Sequence, residues 1–582
     1  MIGNMKLLDE EMNMYLIPEV KSSKKCTPFN INGVKFEYND IDTRVKNLCD
    51  KLPKGETTVV VSVDSSISSS YEMKLSKDVV EITGKDQAGA FYGVQTLRQI
   101  LKNQECDLCE IFDSPDFKDR GFYLDITRGR IPKLETLKEL VDTLSYYKIN
   151  MLQLYVEHTY PFKEYDGIYQ KTGYISPEEL RELDAYCVEN FIEFVPSLSL
   201  FGHLYELLTD ERYKHLCELE NYKDKAIYWR ERMRHHTIDP LNPESFELIK
   251  SLIDQYVPNF TSDKFNICCD ETFDLGAGKN AGKDKGRLYV DFVRKIVDYV
   301  KSKGKTPMMW GDVIIKHADL IDDIGDGIIY LSWGYSKDEK PDAVNKVRDA
   351  GKHQYVCPGL NNWASLIELP QISVPNITKM TKYGYDAGAI GVLNTCWGDY
   401  GHPSSIYACL YGMIFGGAKS WNVNCEYNNF DEAMDLLCYG KEGATSKMKA
   451  IAGTLVHCMW YELVCDYNSE KVGSDTMTLW EPFEPCELKN CFFALEKIIP
   501  LLNYETWENE KVRENLVCIS QGIQLMASML MSKKAGEKFS SDINVAEAWI
   551  KEFSRLYLAD SKQGELDEIV KIVYHLANKY LK

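Results

Sequence analysis

The sequence predicts an α/β protein organised on a closed parallel (β/α)8 barrel (TIM barrel), with a small α/β domain before it and an all-α domain after it. Three observations carry this expectation. From about residue 118, eight short apolar runs alternate with amphipathic helical stretches. Each run is nearly all apolar, as a strand covered on both faces must be. The rhythm is absent before and after this region, and 582 residues exceed what one hydrophobic core usually holds. These shifts set domains at 1–112, 113–421 and 422–582.

Within the first domain, Thr57–Val63 and Tyr71–Thr83 read as strands. Lys85-Asp86-Gln87 opens a helix to Leu101, with Phe91, Val94, Leu97, Ile100 and Leu101 at helical spacing. The eight runs are Gly121–Ile126, Asn150–Val156, Ile192–Leu198, Phe265–Cys269, Pro307–Trp310, Ile328–Trp333, Tyr355–Leu360 and Val392–Trp397. Between them, Leu134, Leu137, Val141 and Leu144 form one helical stripe, and Leu288, Phe292, Ile296, Tyr299 and Val300 form another, stopped by Gly304. Ser176-Pro177-Glu178-Glu179 has the form of a capping box with Pro at the first helical position. A βα unit repeated eight times favours a barrel over an open doubly wound sheet, and no G-x-G-x-x-G follows any run. Residues 199–264 separate the third run from the fourth, far beyond a usual connection, so Phe201 to Asp239 reads as a functional loop over one barrel end. After Trp421 the stretches Ala444–Leu463, Cys486–Leu502 and Glu565–Leu581 are helical, with packing, homodimer formation and roofing of a pocket as alternative roles.

Composition excludes several classes. A net charge of −20 leaves no Lys/Arg excess to neutralise nucleic-acid phosphates or to bind an anionic membrane. No run of 18 apolar residues appears, and Met1 to Glu11 carries no apolar core of signal-peptide length. The 18 cysteines are scattered, which predicts reduced thiols in a cytoplasmic protein. Cys106 and Cys109 have C-x-x-C spacing without a second pair, so they read as incidental thiols rather than a zinc site. With 10 His and no H-x-H, neither a catalytic metal nor another cofactor is expected.

In such barrels chemistry sits at the C-terminal ends of the strands. The first run is preceded by Arg120 and reaches Asp125; the second ends at Glu157-His158; the third leads to Gly202-His203; the fourth ends at Asp270-Glu271. The remaining four end at Trp310-Gly311-Asp312, at Trp333, at Asn361-Asn362-Trp363 and at Trp397-Gly398-Asp399. Composition alone supplies roughly a dozen adjacent acid pairs. A single Trp is more often core than ligand platform, and a single His more often structural. The joint placement is what points to function: aromatic rings cover the apolar faces of a sugar while acids hold its hydroxyls.

These segments resemble glycoside hydrolase family 20, the β-N-acetylhexosaminidases, in a bacterial branch with a helical C-terminal domain. The resemblance lies in Asp119-Arg120-Gly121-Phe122-Tyr123-Leu124-Asp125, Gly202-His203, Thr237-Ile238-Asp239-Pro240-Leu241-Asn242-Pro243, Asp270-Glu271 and Trp397-Gly398-Asp399, and spans about 30 to 420. It implies exo-action on a terminal N-acetylhexosamine of a small or oligosaccharide substrate, with the substrate's own acetamido oxygen as nucleophile. It implies Glu271 as general acid and base, and Asp270 as the group that orients the acetamide. By the same resemblance Arg120 binds the sugar hydroxyls at C3 and C4 and Asp399 those at C4 or C6, Trp310, Trp333, Trp363 and Trp397 wall the pocket, and His203 stands near the acid pair. The candidates for the family's acetamide-binding tyrosine are Tyr335 and Tyr355, with the Asn361-Asn362-Trp363 turn as an alternative to that local pattern, and Leu154-Tyr155-Val156-Glu157-His158 departs from the usual second-strand pattern.

Adjacent side chains of a strand point to opposite faces, so Asp270 and Glu271 share a pocket only if regular pairing stops by Glu271. Three other readings remain: a glycosidase with an enzymic carboxylate nucleophile, a sugar-binding barrel without catalysis, and a metal-dependent hydrolase.

Overall fold

The computed structural model describes residues 14–220, 229, 232, 236–454, 459–469, 484–536, 539 and 541–582. The chain divides into two compact units, Met1–Pro115 with Cys425–Thr445, and Asp116–Asn424 with Ser446–Lys582. Residues 425–445, expected at the start of the helical domain, thus group with the N-terminal sheet. Tyr427, Phe430 and Ala433 share a cavity of about 230 Å³ with Leu16, Val20 and Leu108.

In the first unit six strands, β1 (Ser22–Phe29), β2 (Val34–Asn39), β3 (Thr57–Val63), β4 (Tyr71–Leu75), β5 (Val79–Gly84) and β6 (Cys106–Asp113), form one sheet in the order β1-β6-β4-β5-β3-β2. The stretch read as one strand from Tyr71 to Thr83 is a hairpin: β4 and β5 pair antiparallel, with Tyr71 opposite Gly84. Ser76, whose hydroxyl donates to the Val79 carbonyl at 2.7 Å, makes the turn. The helix Gln87–Ile100 packs on this sheet and is capped by Asp86, which accepts the Gly89 N–H at 2.8 Å.

The second unit contains the barrel. Its strands are β7 (Asp119–Asp125), β8 (Met151–Val156), β9 (Glu193–Leu198), β10 (Lys264–Asn266), β11 (Thr306–Trp310), β12 (Ile329–Trp333), β13 (His353–Cys357) and β14 (Gly391–Cys396). They close in chain order, all parallel, with β14 beside β7. The expected capping box forms at the helix Pro177–Glu189: Glu179 N–H donates to Ser176 Oγ at 3.1 Å, and Ser176 N–H to Glu179 Oε2 at 2.7 Å.

The fourth strand is shorter than its apolar run. Pairing ends at Asn266, and Cys268, Cys269 and Glu271 all have positive φ, at 55°, 63° and 47°. Three left-handed residues within four positions cost energy that the surroundings must offset, a pattern typical of functional sites. The long connection after β9 holds the short helix Tyr205–Leu208. Among the described residues, five helices after residue 455, from Met459–Tyr467 to Leu566–Tyr580, belong to this unit. Among the described residues no helix is long and apolar enough to cross a membrane.

Candidate active site

The irregular backbone after β10 brings two adjacent acids into one pocket. Asp270 Oδ2 lies 3.1 Å from His203 Nε2, and Glu271 Oε2 lies 3.5 Å from the same nitrogen. Gly202 makes the approach possible, since a Cβ there would stand 2.6 Å from the Asp270 carbonyl oxygen. The other His203 nitrogen, Nδ1, faces Arg128 Nη2 at 3.3 Å and Glu157 Oε1 at 3.6 Å. Burial works most strongly against the imidazolium, but the charge of Asp270, its hydrogen bond and the charge of Glu157 together outweigh it and raise His203 above its ordinary pKa. The Nε2–H therefore faces Asp270 in either protonation state.

Arg128, not Arg120, is the cation of this site. Arg120 begins β7 at the N-terminal end of the barrel. It donates to the carbonyls of Lys148, Phe117 and Lys118, each at 2.9 Å, and lies 4.9 Å from the Trp421 ring centre. Arg128 follows the C-terminal end of the same strand. Its guanidinium donates to Asp125 Oδ2 at 3.0 Å and meets Asp399 Oδ1 at 3.3 Å, with the rings of Tyr155 and Trp397 at 5.1 and 5.2 Å. The strand-end criterion itself would have selected Arg128, because Arg120 precedes the first run and so belongs to the opposite end.

The aromatic residues fall into two groups. Trp310 and Trp397 pack with Tyr123 and Tyr155 at centroid distances of 5.1 to 5.8 Å and fill the barrel mouth. Trp333 stacks on Tyr335 at 5.1 Å, and Trp363 meets Tyr335 at 5.3 Å. The groups are joined where Trp397 Nε1–H donates to Tyr335 Oη at 2.8 Å. Tyr335 thus belongs to the site. Tyr355 does not: its hydroxyl donates to Asp119 at the start of β7, at the other end.

Two carboxylates complete the set. Glu157 accepts the Tyr155 hydroxyl at 2.8 Å, which gives the unusual second strand a place behind His203. His158 is fully buried, and its imidazole is pushed well below its ordinary pKa by burial and by Arg232. Asp312 Oδ2 accepts the Glu271 backbone N–H at 3.2 Å. Burial, Asp270 and Asp312 raise Glu271 to about 8 against the opposing pull of His203 and Arg128. Burial and Asp270 likewise raise Asp312 to about 6. Asp270 Oδ1, Asp312 Oδ1 and Trp310 Nε1 are buried without a hydrogen-bond partner among the described residues. Orphan polar atoms gathered at one place mark where a polar ligand sits. Beside them opens a pocket of about 330 Å³ lined by Glu271, Phe273, Asp312, Ile315, Lys316 and Trp333.

With this geometry, the comparisons with known proteins agree. The family model described as glycosyl hydrolase family 20, catalytic domain, matches residues 117–360, and that for domain 2 of the same family matches 31–114. The chain belongs to glycoside hydrolase family 20. It is 26% identical over 305 residues to a beta-hexosaminidase of Porphyromonas gingivalis, a match that covers 45% of this chain and 38% of that protein. It is 23% identical over 349 residues to hexosaminidase D of Bos taurus, covering 53% of this chain and 96% of that protein. Its fold is that of a beta-N-acetylhexosaminidase of Bacteroides fragilis, with a TM-score of 0.59 at 18% identity over 72% of this chain and 94% of that one. This family-20 chain is a glycoside hydrolase on a (β/α)8 barrel, as the sequence predicted.

Proposed function

We infer that the chain is an exo-acting, retaining β-N-acetylhexosaminidase that works by substrate assistance. One observation carries the reading: an acid held protonated near neutral pH stands directly beside a carboxylate whose buried Oδ1 is unpartnered. Asp270 Oδ1 accepts the N–H of the substrate's 2-acetamido group, and His203 holds the other oxygen in place. The acetamido oxygen then attacks C1 as the glycosidic bond breaks, while Glu271 gives its proton to the departing oxygen. Asp270 offsets the positive charge of the oxazolinium ring, and Glu271, now ionised, takes a proton from the water that opens it. Placing the nucleophile within the substrate supplies the proximity advantage of an intramolecular reaction.

Arg128 takes over the role first given to Arg120, and with Asp399 it holds hydroxyls at the far end of the sugar. Trp310, Trp333, Trp397 and Tyr335 wall the acetamide and the ring, and Trp363 supports Tyr335. Binding the far hydroxyls favours release of one terminal residue at a time. The free thiols of the described cysteines support a reducing, cytoplasmic setting.

The test compares an aryl N-acetyl-β-glucosaminide with the aryl β-glucoside, using wild type, Asp270→Ala and Glu271→Gln. Turnover of the acetamido sugar alone, with a loss of about 10²–10³-fold in Asp270→Ala, is expected. Equal turnover of the plain glucoside would remove substrate assistance and require an enzymic nucleophile. Binding of the N-acetyl sugar without turnover would make the barrel a lectin-like module.

A further inference from the structure

The sequence leaves packing, homodimer formation and roofing of a pocket open as roles of the C-terminal helices, and the structure brings one turn among them against the loop that follows β7. Residues 561–565 lie between the helices Ile543–Asp560 and Leu566–Tyr580 and run against the loop that follows β7. Pro132 and Ser561 form an antiparallel bridge, Lys133 N–H donates to the Asp560 carbonyl at 2.9 Å, and Lys562 N–H to the Ile131 carbonyl at 2.8 Å. The Gly129 carbonyl accepts both the Tyr557 hydroxyl at 2.7 Å and the Glu565 N–H at 2.8 Å. Arg130 is buried here: Nη2 donates to both Asp560 oxygens at 2.9 and 3.1 Å, Nε to Ser561 Oγ at 3.1 Å, and its guanidinium lies 4.3 Å from the Tyr557 ring centre.

Arg128 and Arg130 therefore face opposite ways from the two sides of Gly129. One enters the active site and the other is locked into the C-terminal region. Gly129 has φ of +116°, and a Cβ on it would lie 2.6 Å from the Gly401 carbonyl oxygen, two residues beyond Asp399. A Cβ on Gly564 would lie 2.1 Å from the Gly129 carbonyl oxygen. The loop is thus clamped between the 561–565 turn and the loop that carries Asp399. The Glu565 carboxylate extends the clamp to the connection after β9, accepting Trp229 Nε1–H at 2.6 Å and Arg232 Nη2–H at 2.5 Å.

We propose that Tyr557, Asp560 and Glu565 are positioning residues for catalysis, setting through Gly129 and Arg130 the place at which Arg128 holds the sugar. This rests on the assignment of Arg128 to the substrate hydroxyls. Arg128 is held by Asp125, Asp399, His203 and the rings of Tyr155 and Trp397, so a small displacement of the loop alters its fit, and displacements far from the chemistry are known to be costly. A helical region that only added stability would change the amount of folded enzyme, not the recognition of a particular hydroxyl.

The experiment measures kcat and KM of the full chain on an aryl N-acetyl-β-glucosaminide and its 4-deoxy analogue, for Asp560→Asn, Tyr557→Phe, Arg128→Lys and the Asp560→Asn/Arg128→Lys pair. Asp560→Asn is expected to raise KM for the parent sugar about tenfold and to have little effect on the 4-deoxy sugar. Tyr557→Phe, which removes one hydrogen bond and keeps the ring, should move KM in the same direction by less, and keeps the test valid if Asp560→Asn does not fold. The pair should lose no more than Arg128→Lys alone. Unchanged KM in both Asp560→Asn and Tyr557→Phe, or full additivity in the pair, overturns the proposal. If Arg128→Lys itself weakens both sugars equally, the assignment of Arg128 falls and the proposal falls with it.

Discussion

The Glu271 backbone N–H donates to Asp312 Oδ2 at 3.2 Å, so the acid after β10 is tied to the carboxylate two residues beyond β11. The bond fixes the left-handed turn at Glu271 and places a negative charge beside its carboxyl. Asp312→Asn keeps an acceptor for the N–H and removes that charge. Glu271 should then lose its proton at lower pH, and the alkaline limb of the kcat/KM profile should move toward lower pH. A pH profile of the variant on the aryl N-acetyl-β-glucosaminide checks this; an unmoved limb would show that Asp312 does not help keep Glu271 protonated.

Glu271 also links pH to stability. Its folded pKa of about 8 lies above its ordinary value of 4.5, so the folded state binds a proton that the unfolded state releases. The stability from that proton is complete below about 4.5 and is lost as pH rises through about 8. Asp312, raised to about 6, acts in the same direction over a lower window. Glu271→Gln has no proton to lose there. Its Tm relative to wild type should rise between pH 5 and pH 9, while its kcat on a poor leaving group falls by about 10²–10⁴-fold. The kcat loss should shrink with a leaving group that needs no protonation.

The two arginines near β7 separate stability from recognition. Arg120 donates to three backbone carbonyls, at Lys148, Phe117 and Lys118, and covers Trp421. Arg120→Met should cost about 3 kcal/mol or more, since buried acceptors lose their donors, and leave KM nearly unchanged in the folded fraction. Arg128→Lys should reduce kcat/KM by about 10²-fold with a smaller effect on urea unfolding, because an ammonium cannot reproduce the planar fork toward Asp125 and Asp399. A large KM effect from Arg120 would reverse the assignment.

The contrast between these residues shows what was legible in the sequence. The barrel was, because eight parallel strands buried on both faces must be apolar and evenly spaced, and that pattern is local. The acid pair, Trp310, Trp397 and Asp399 are legible as candidates because each lies within two residues of the end of a run, and His203 because the third run leads to it. Arg128, two residues past the end of the first run, is legible by the same criterion; what the sequence does not show is the path of its loop, to which Tyr557 and Glu565 bond from more than 400 residues later. The hairpin break at Ser76 and the grouping of residues 425–445 with the first unit were not legible either, since both depend on contacts rather than on periodicity. Side-chain alternation alone predicts that pairing ends by Glu271. The structure ends it earlier, at Asn266, by left-handed residues that no propensity would place at Cys268 and Cys269.

His203, Asp270 and Glu271 offer three ligand atoms within 4.8 Å of one another, a donor set that suits a divalent cation. Two features oppose that use. Glu271 is held protonated by burial and its acidic neighbours, and a neutral carboxylic acid is a poor ligand. The Arg128 guanidinium, a permanent cation, stands 3.3 Å from the other nitrogen of the same histidine and repels a second positive charge. Activity should therefore be unchanged after dialysis against EDTA and should not rise when Zn²⁺ or Mn²⁺ is restored. A loss of activity in EDTA that returns with metal would instead assign Asp270 and Glu271 to coordination. It would also predict that Glu271→Gln abolishes metal binding, which calorimetry on the apo-protein would read directly.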